Sequence, residues 1–257
     1  MTIPFLHELA LLQPKFIFPM DASAIEQIIL RWIHFAAGIT WIGLLYFFNL
    51  VNVPFLKELD APTKSKVIPN LMPKALWWFR WAAVVTWLAG FRYLMILMNT
   101  DATNASEAGL FGKWMGIFFG VWIVAFAVTY GLFMMAQTVL KNNGYVLGVL
   151  VTIVTAAASW AVLTLMWHPG ASSRMLSIAV GGGIGTMMFL NVWGLIWRIQ
   201  KKLIAWTKAS AEEGKPMPSE AAKLQRLAFL VSRANFYLSF PMLFFMAAAS
   251  HYAFLVP

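Results

Sequence analysis

The chain has 257 residues, of which 61% are hydrophobic and only 11% charged, whereas a soluble domain is about a quarter charged. It holds nineteen Lys and Arg against ten Asp and Glu, a net charge of +9, and no cysteine. Without thiols there are no disulfides, thiolate metal sites, iron–sulfur clusters or c-type haem attachments, and the positive charge, gathered in the connections of one side, argues against a nucleic-acid partner.

The apolar residues come in blocks, and a helix needs roughly 20 consecutive apolar residues to cross a bilayer core. Residues 1–24 carry no basic leader, and Pro4 and Pro14 interrupt the short apolar run. They are expected to lie at the membrane interface rather than form a cleaved signal. Six spans follow, at about 25–53, 75–99, 111–140, 144–167, 175–200 and 223–256, the last with an expected kink at Pro241. Lipid offers backbone groups no partners, so each span must be helical. The fold class read from this pattern is all-α, a polytopic transmembrane bundle of about six helices forming a single membrane domain over 1–257. The proline-bearing, charged stretches 54–74 and 201–222 are expected to be surface loops.

Orientation follows from the basic residues. Fourteen of the nineteen, including Lys57, Lys64, Lys66, Lys74, Lys201, Lys202 and Lys208, flank the connections after spans one, three and five. Acidic residues divide five and five. Both termini are therefore expected outside, with the three basic connections in the cytoplasm.

This topology places three of the four histidines in the outer half of the membrane: His34 about ten residues into the first span, His168 at the outer end of the fourth, and His251 near the end of the last. Ionisable residues inside spans are costly and point to function. Haem iron is commonly held by axial histidines, and facing helices can supply one each. His34 and His251 are the expected ligands of a haem b, with His168 as the substitute. Gly38, four after His34, and Ala247, four before His251, leave room on the same helix faces for a flat macrocycle. Arg31, Arg92 and Arg174 lie at similar height and match propionate carboxylates.

Other readings stay open. The histidines could each bond a neighbouring helix, Arg31 and Arg174 could extend to the headgroups, or three histidines at one depth could hold copper or zinc. The fifteen methionines do not cluster near the histidines and read as packing. The run Gly181-Gly182-Gly183-Ile184-Gly185 reads as close helix packing rather than a phosphate loop. Asn49, Asn52, Asn191 and Asn235 are expected to bridge helices.

The stretch Arg31-Trp-Ile-His34-Phe-Ala-Ala-Gly38-Ile-Thr-Trp41-Ile-Gly43-Leu-Leu-Tyr46-Phe-Phe-Asn49 resembles the opening helix of the bacterial urate oxidase N-terminal domain family, the membrane part of the membrane-bound urate hydroxylases. Ala75-Leu-Trp77-Trp78-Phe79-Arg80-Trp81-Ala-Ala-Val-Val-Thr86-Trp-Leu-Ala-Gly90 resembles its second-helix signature. The likeness covers about residues 25 to 95, and Arg31, His34, Gly38, Trp41 and Gly43 are the positions matched. It implies a multi-helix domain of a bacterial inner membrane, working in oxidation and passing electrons to cytochrome c. Family members often carry a C-terminal cytochrome c domain. This chain ends at Pro257 without a Cys-x-x-Cys-His sequence, so a periplasmic c-type cytochrome is expected as a separate partner, beside other membrane subunits. The leading expectation is a haem b electron-transfer subunit of a respiratory or oxidase-type complex. A cofactor-free structural or assembly subunit and a copper-site membrane protein are the alternatives.

Overall fold

The computed structural model describes residues 19, 21–136, 138–140 and 143–255. His7 and, apart from Pro19, the expected interfacial stretch as far as Met20 lie outside the described residues. Six helices are long and apolar enough to cross a membrane: α1 (Ala22–Glu58), α2 (Ala61–Ala105), α3 (Leu110–Met135), α4 (Gly144–Leu165), α5 (Ser173–Glu213) and α6 (Ala221–Ala248). No strand occurs among the described residues. The protein is an all-α, multi-pass membrane bundle, as its apolar blocks predict.

Local chemistry sets the helix ends. Asp21 caps α1 by accepting the Ala24 N–H at 2.8 Å. Asp60 caps α2 by accepting the Thr63 N–H at 2.8 Å, with Pro62 in the first turn. Hydrogen bonds from the Thr63 hydroxyl and the Thr63 backbone N–H hold the Asp60 carboxyl below the usual carboxylate range. Asn143 and Ser172 cap α4 and α5 in the same way. Gly214, at φ 65°, ends α5 in the left-handed conformation that glycine adopts freely.

These caps correct one expectation. The stretches 54–74 and 201–222 are largely helical rather than loops: α1 continues to Glu58, α2 starts at Ala61, and α5 continues to Glu213. With 45 residues, α2 is about 68 Å long, more than twice a bilayer core. Its excess length carries Lys64, Lys66, Pro69, Pro73 and Lys74. Beyond the hydrocarbon, water can bond the carbonyls that the prolines leave without a helical donor. The helix of α6 also continues through Pro241.

Two π-helical segments, Phe47–Asn52 in α1 and Val192–Ile196 in α5, interrupt otherwise regular helix. Each has an asparagine in it or next to it. Asn49 donates to Leu45 O at 2.9 Å and to Ser232 Oγ on α6 at 3.0 Å. Asn191 donates to Asn235 Oδ1 at 2.8 Å, and Asn235 donates to Met188 O at 3.0 Å. Asn49, Asn191 and Asn235 thus bridge helices as expected. Asn52 is buried, and its Oδ1 has no partner among the described residues.

The most enclosed helix is α5: 78% of its apolar window is buried, against 11% for α1. It packs against α2, α3, α4 and α6, while α1 lies on α2 and α6 at the edge of the bundle. Asn235 sits at the α5–α6 seam and is fully buried. Asn235→Leu strands the Asn191 carboxamide N–H and leaves the Met188 carbonyl with only the Val192 N–H, and an unsatisfied buried group costs about 1–3 kcal/mol. The expected result is a lower unfolding midpoint in detergent, with the helical circular dichroism of the folded state retained.

Candidate cofactor site

A cavity of about 320 Å³ opens between α1, α2, α5 and α6, within the range of roughly 300–1,000 Å³ usual for ligand sites. Arg31, His34, Gly38 and Trp41, four of the eight expected site residues, line it from α1. They do so because their spacing of three and four keeps them on one helix face. Trp32, on the other side of α1, is turned outward, and Phe35 borders both cavity and surface.

His34 is the best-defined group. Its Nδ1 lies 2.8 Å from the backbone carbonyl oxygen of Thr86 on α2. A carbonyl only accepts, so Nδ1 carries the hydrogen and donates, and Nε2 of the neutral ring presents a lone pair. Nε2 has no hydrogen-bond partner among the described residues. The ring rests against Gly90: a Cβ there would lie 2.6 Å from both Nδ1 and Cε1. Thr86 and Gly90, absent from the expected site, therefore fix the ring. A metal-bound histidine is usually held in this way, through the nitrogen that does not face the metal.

The cavity has three layers, because α1 and α5 run antiparallel to α2 and α6. In the middle layer His34 meets Gly90, and Gly182 of α5 meets Met246 of α6, whose terminal methyl is 3.7 Å from where a Cβ at 182 would be. One turn toward the basic connections are Gly38, Thr86, Thr186 and Met242. There the Trp87 indole donates to Thr186 Oγ1 at 3.0 Å and ties α2 to α5. One turn toward the termini are Arg31, Tyr93 and Ser250. The lining is apolar apart from these few groups.

The other expected residues lie elsewhere. His251 sits in the turn after α6, exposed, with its N–H bonded to Ala248 O at 3.0 Å; its neighbour Ser250 lines the cavity, and His251 does not. The helix stops at Ala248, so the face shared by residues 247 and 251 in a continuous helix is lost. His168 lies between α4 and α5. Its Nδ1 accepts the Gly170 N–H at 2.9 Å, and its Nε2 therefore donates to the Glu107 carboxylate at 3.0 Å. Both ring nitrogens are engaged, which suits a helix-end residue. Arg92 forks onto Glu26, with Nε–Oε1 2.7 Å and Nη2–Oε2 3.1 Å. Arg174 donates to the Tyr93 hydroxyl and lies over its ring, 5.4 Å from the centroid. Arg31 is exposed at the cavity rim and has no partner among the described residues. Trp41 is buried, its indole N–H unpaired among the described residues.

Among the described residues no three His, Asp or Glu side chains come together as a group able to hold a metal ion. The three histidines therefore do not form the joint copper or zinc site left open by the sequence. The methionines differ from expectation too, since Met242 and Met246 share the cavity with His34.

Comparison with known proteins adds one finding. No curated protein and no solved structure matches the chain at a significant level. A family described as urate oxidase N-terminal matches residues 58–257. That range includes the Ala75–Gly90 signature and continues through α6, well past the stretch of about residues 25 to 95. Arg31, His34, Gly38, Trp41 and Gly43 precede it. With most of its length matched, including five of its six helices, the chain belongs to the urate oxidase N-terminal family.

Proposed function

We propose that the protein is a haem b electron-transfer subunit of the bacterial inner membrane. The observation that carries this reading is His34, whose Nδ1–H is anchored on the Thr86 carbonyl while Nε2 is left unpaired beside an apolar cavity. The residues present fit the group. An imidazole lone pair suits the iron, Gly90 makes room for the imidazole, Gly38, Gly182 and Gly185 keep the walls free of side chains beside a flat ring, and Arg31 offers an uncommitted guanidinium to a propionate. Arg92 and Arg174 already have partners and would serve the propionates less directly. Bound there, haem b supplies one-electron transfer. The chain's own contribution is to orient the axial imidazole, exclude water with apolar walls and place one positive charge at the rim.

Membership of the urate oxidase N-terminal family supports an oxidative role, with a separate periplasmic c-type cytochrome as electron partner. The excess of basic residues on the connections after α1, α3 and α5 supports periplasmic termini, which put the cavity in the periplasmic half of the bilayer.

The test is optical. Protein purified in detergent is expected to show a Soret band and a b-type pyridine haemochrome, and His34→Ala is expected to lose both while remaining folded. A purified protein without either signal favours a cofactor-free structural subunit instead.

A further inference from the structure

The haem reading leaves the second axial position open. We propose that Met246 supplies it, giving a His–Met pair rather than two histidines; this inference rests on the haem reading above. Three contacts put Met246 level with His34. His34 is seated on Gly90 of α2. One turn from Gly90, Trp87 is bonded to Thr186 of α5. One turn back from Thr186 is Gly182, bonded to it through Thr186 Oγ1 and Gly182 O at 2.8 Å, and against Gly182 lies the Met246 methyl. The two side chains thus share a layer and come from different helices. His34 is seated on Gly90, and the Met246 methyl lies against Gly181 and Gly182, 3.3 and 3.7 Å from where a Cβ at each would be.

The chemistry of that layer selects the thioether. The cavity residues at this height outside α1 are hydrocarbon or glycine apart from Met246, whose sulfur carries lone pairs soft enough for haem iron. His251 lies past the end of α6 and outside the cavity lining. Met242, the other thioether in the cavity, faces Gly185 one turn deeper, level with Gly38 and Thr86. A His–Met pair also raises the reduction potential above that of a bis-histidine haem, which suits donation to or from a c-type cytochrome.

The experiment compares the full chain with Met246→Leu, Met246→His, Met242→Leu and His251→Ala, each purified with its haem. In the unaltered protein the ferric spectrum is expected to be low-spin, with the thioether-to-iron charge-transfer band at the red edge of the visible range. Met246→Leu keeps the Soret band, loses the red band and becomes high-spin. Met246→His stays low-spin without the red band, and its midpoint potential falls. Met242→Leu, which alters the cavity wall, still keeps the red band, and His251→Ala, outside the cavity, leaves the spectrum unchanged. Survival of the red band in Met246→Leu, or its loss in either control, overturns the assignment while leaving the haem reading intact. An unaltered protein with no Soret band, or one carrying copper in place of haem iron, removes both.

Discussion

Gly183→Ala is expected to be the most destabilising single methyl that α5 can receive. A Cβ at 183 would overlap Nε1, Cε2 and Cδ2 of Trp122. These are ring atoms of a large side chain that is itself fully buried, so no flexible end can swing aside. The indole plane of α3 effectively occupies the place of the missing side chain. Replacing Gly by Ala in a helix gains about 1 kcal/mol of propensity. Overpacking a well-filled core costs about 1–3 kcal/mol, and more where a rigid ring must move. Overpacking therefore wins here, and the unfolding midpoint in detergent should drop. Pairing the change with Trp122→Leu vacates the overlap, so the double variant should be less destabilised than the sum of the two singles. Strict additivity would mean that the two positions do not meet.

The contact also explains why the glycine run can be read correctly in kind but not in detail. A small-residue stretch inside an apolar span signals close helix packing. Its division of labour depends on which helix meets each residue. Gly181 lets α6 approach, a Cβ there lying 3.0 Å from Phe245 Cβ, while Gly182 faces the cavity and Gly183 receives Trp122. Spacing along one helix fixes which residues share a face; it carries no information on the neighbour's register.

The same distinction separates what is legible in the fold from what is not. The number of spans is legible because lipid leaves the backbone only one way to satisfy itself. The ends of the helices are not, because α1, α2 and α5 leave the hydrocarbon and continue under the control of local caps such as Asp60 with Pro62. A charged, proline-bearing stretch of that kind reads as loop when the cap is not recognised. The π segments are also hidden, since Asn49 and Asn191 meet their partners on α6 only after the helices assemble.

For the site, the half on α1 is readable from its own periodicity: Arg31, His34, Gly38 and Trp41 line one cavity. The half contributed by α2, α5 and α6 is not. Thr86 acts through its backbone carbonyl, which any residue type would provide. Met246 reads as packing because its distance from His34 in sequence hides their common layer. His251 reads as a partner only if the helix is continued past Ala248, where it in fact stops. Arg92 and Arg174 do sit toward the terminal side, but nothing in the sequence reveals that Glu26 and Tyr93 engage them.

Gly90→Ala is expected to separate folding from cofactor binding more sharply than any change at His34 itself. The new methyl would sit 2.6 Å from Nδ1 and Cε1 of the imidazole. In contrast to Trp122, this ring borders a cavity and can rotate into it, so the protein need not unfold. The gain of about 1 kcal/mol in helix propensity works in the same direction, and the melting temperature of the haem-free protein should stay level or rise. The ring cannot move without leaving the Thr86 carbonyl, at present 2.8 Å from Nδ1. That hydrogen bond selects the tautomer whose lone pair is on Nε2; without it, either nitrogen can carry the proton and the ring loses its fixed direction. Removing an outer hydrogen bond of this kind typically costs about 10–100-fold in metal affinity. Haem titration of Gly90→Ala should therefore show weakening of that order, with an altered Soret band at saturation, in a chain whose helical circular dichroism is unchanged. Unweakened binding with an identical spectrum would mean that His34 does not face the iron, since no ligand seated so closely on Gly90 could ignore a methyl placed there.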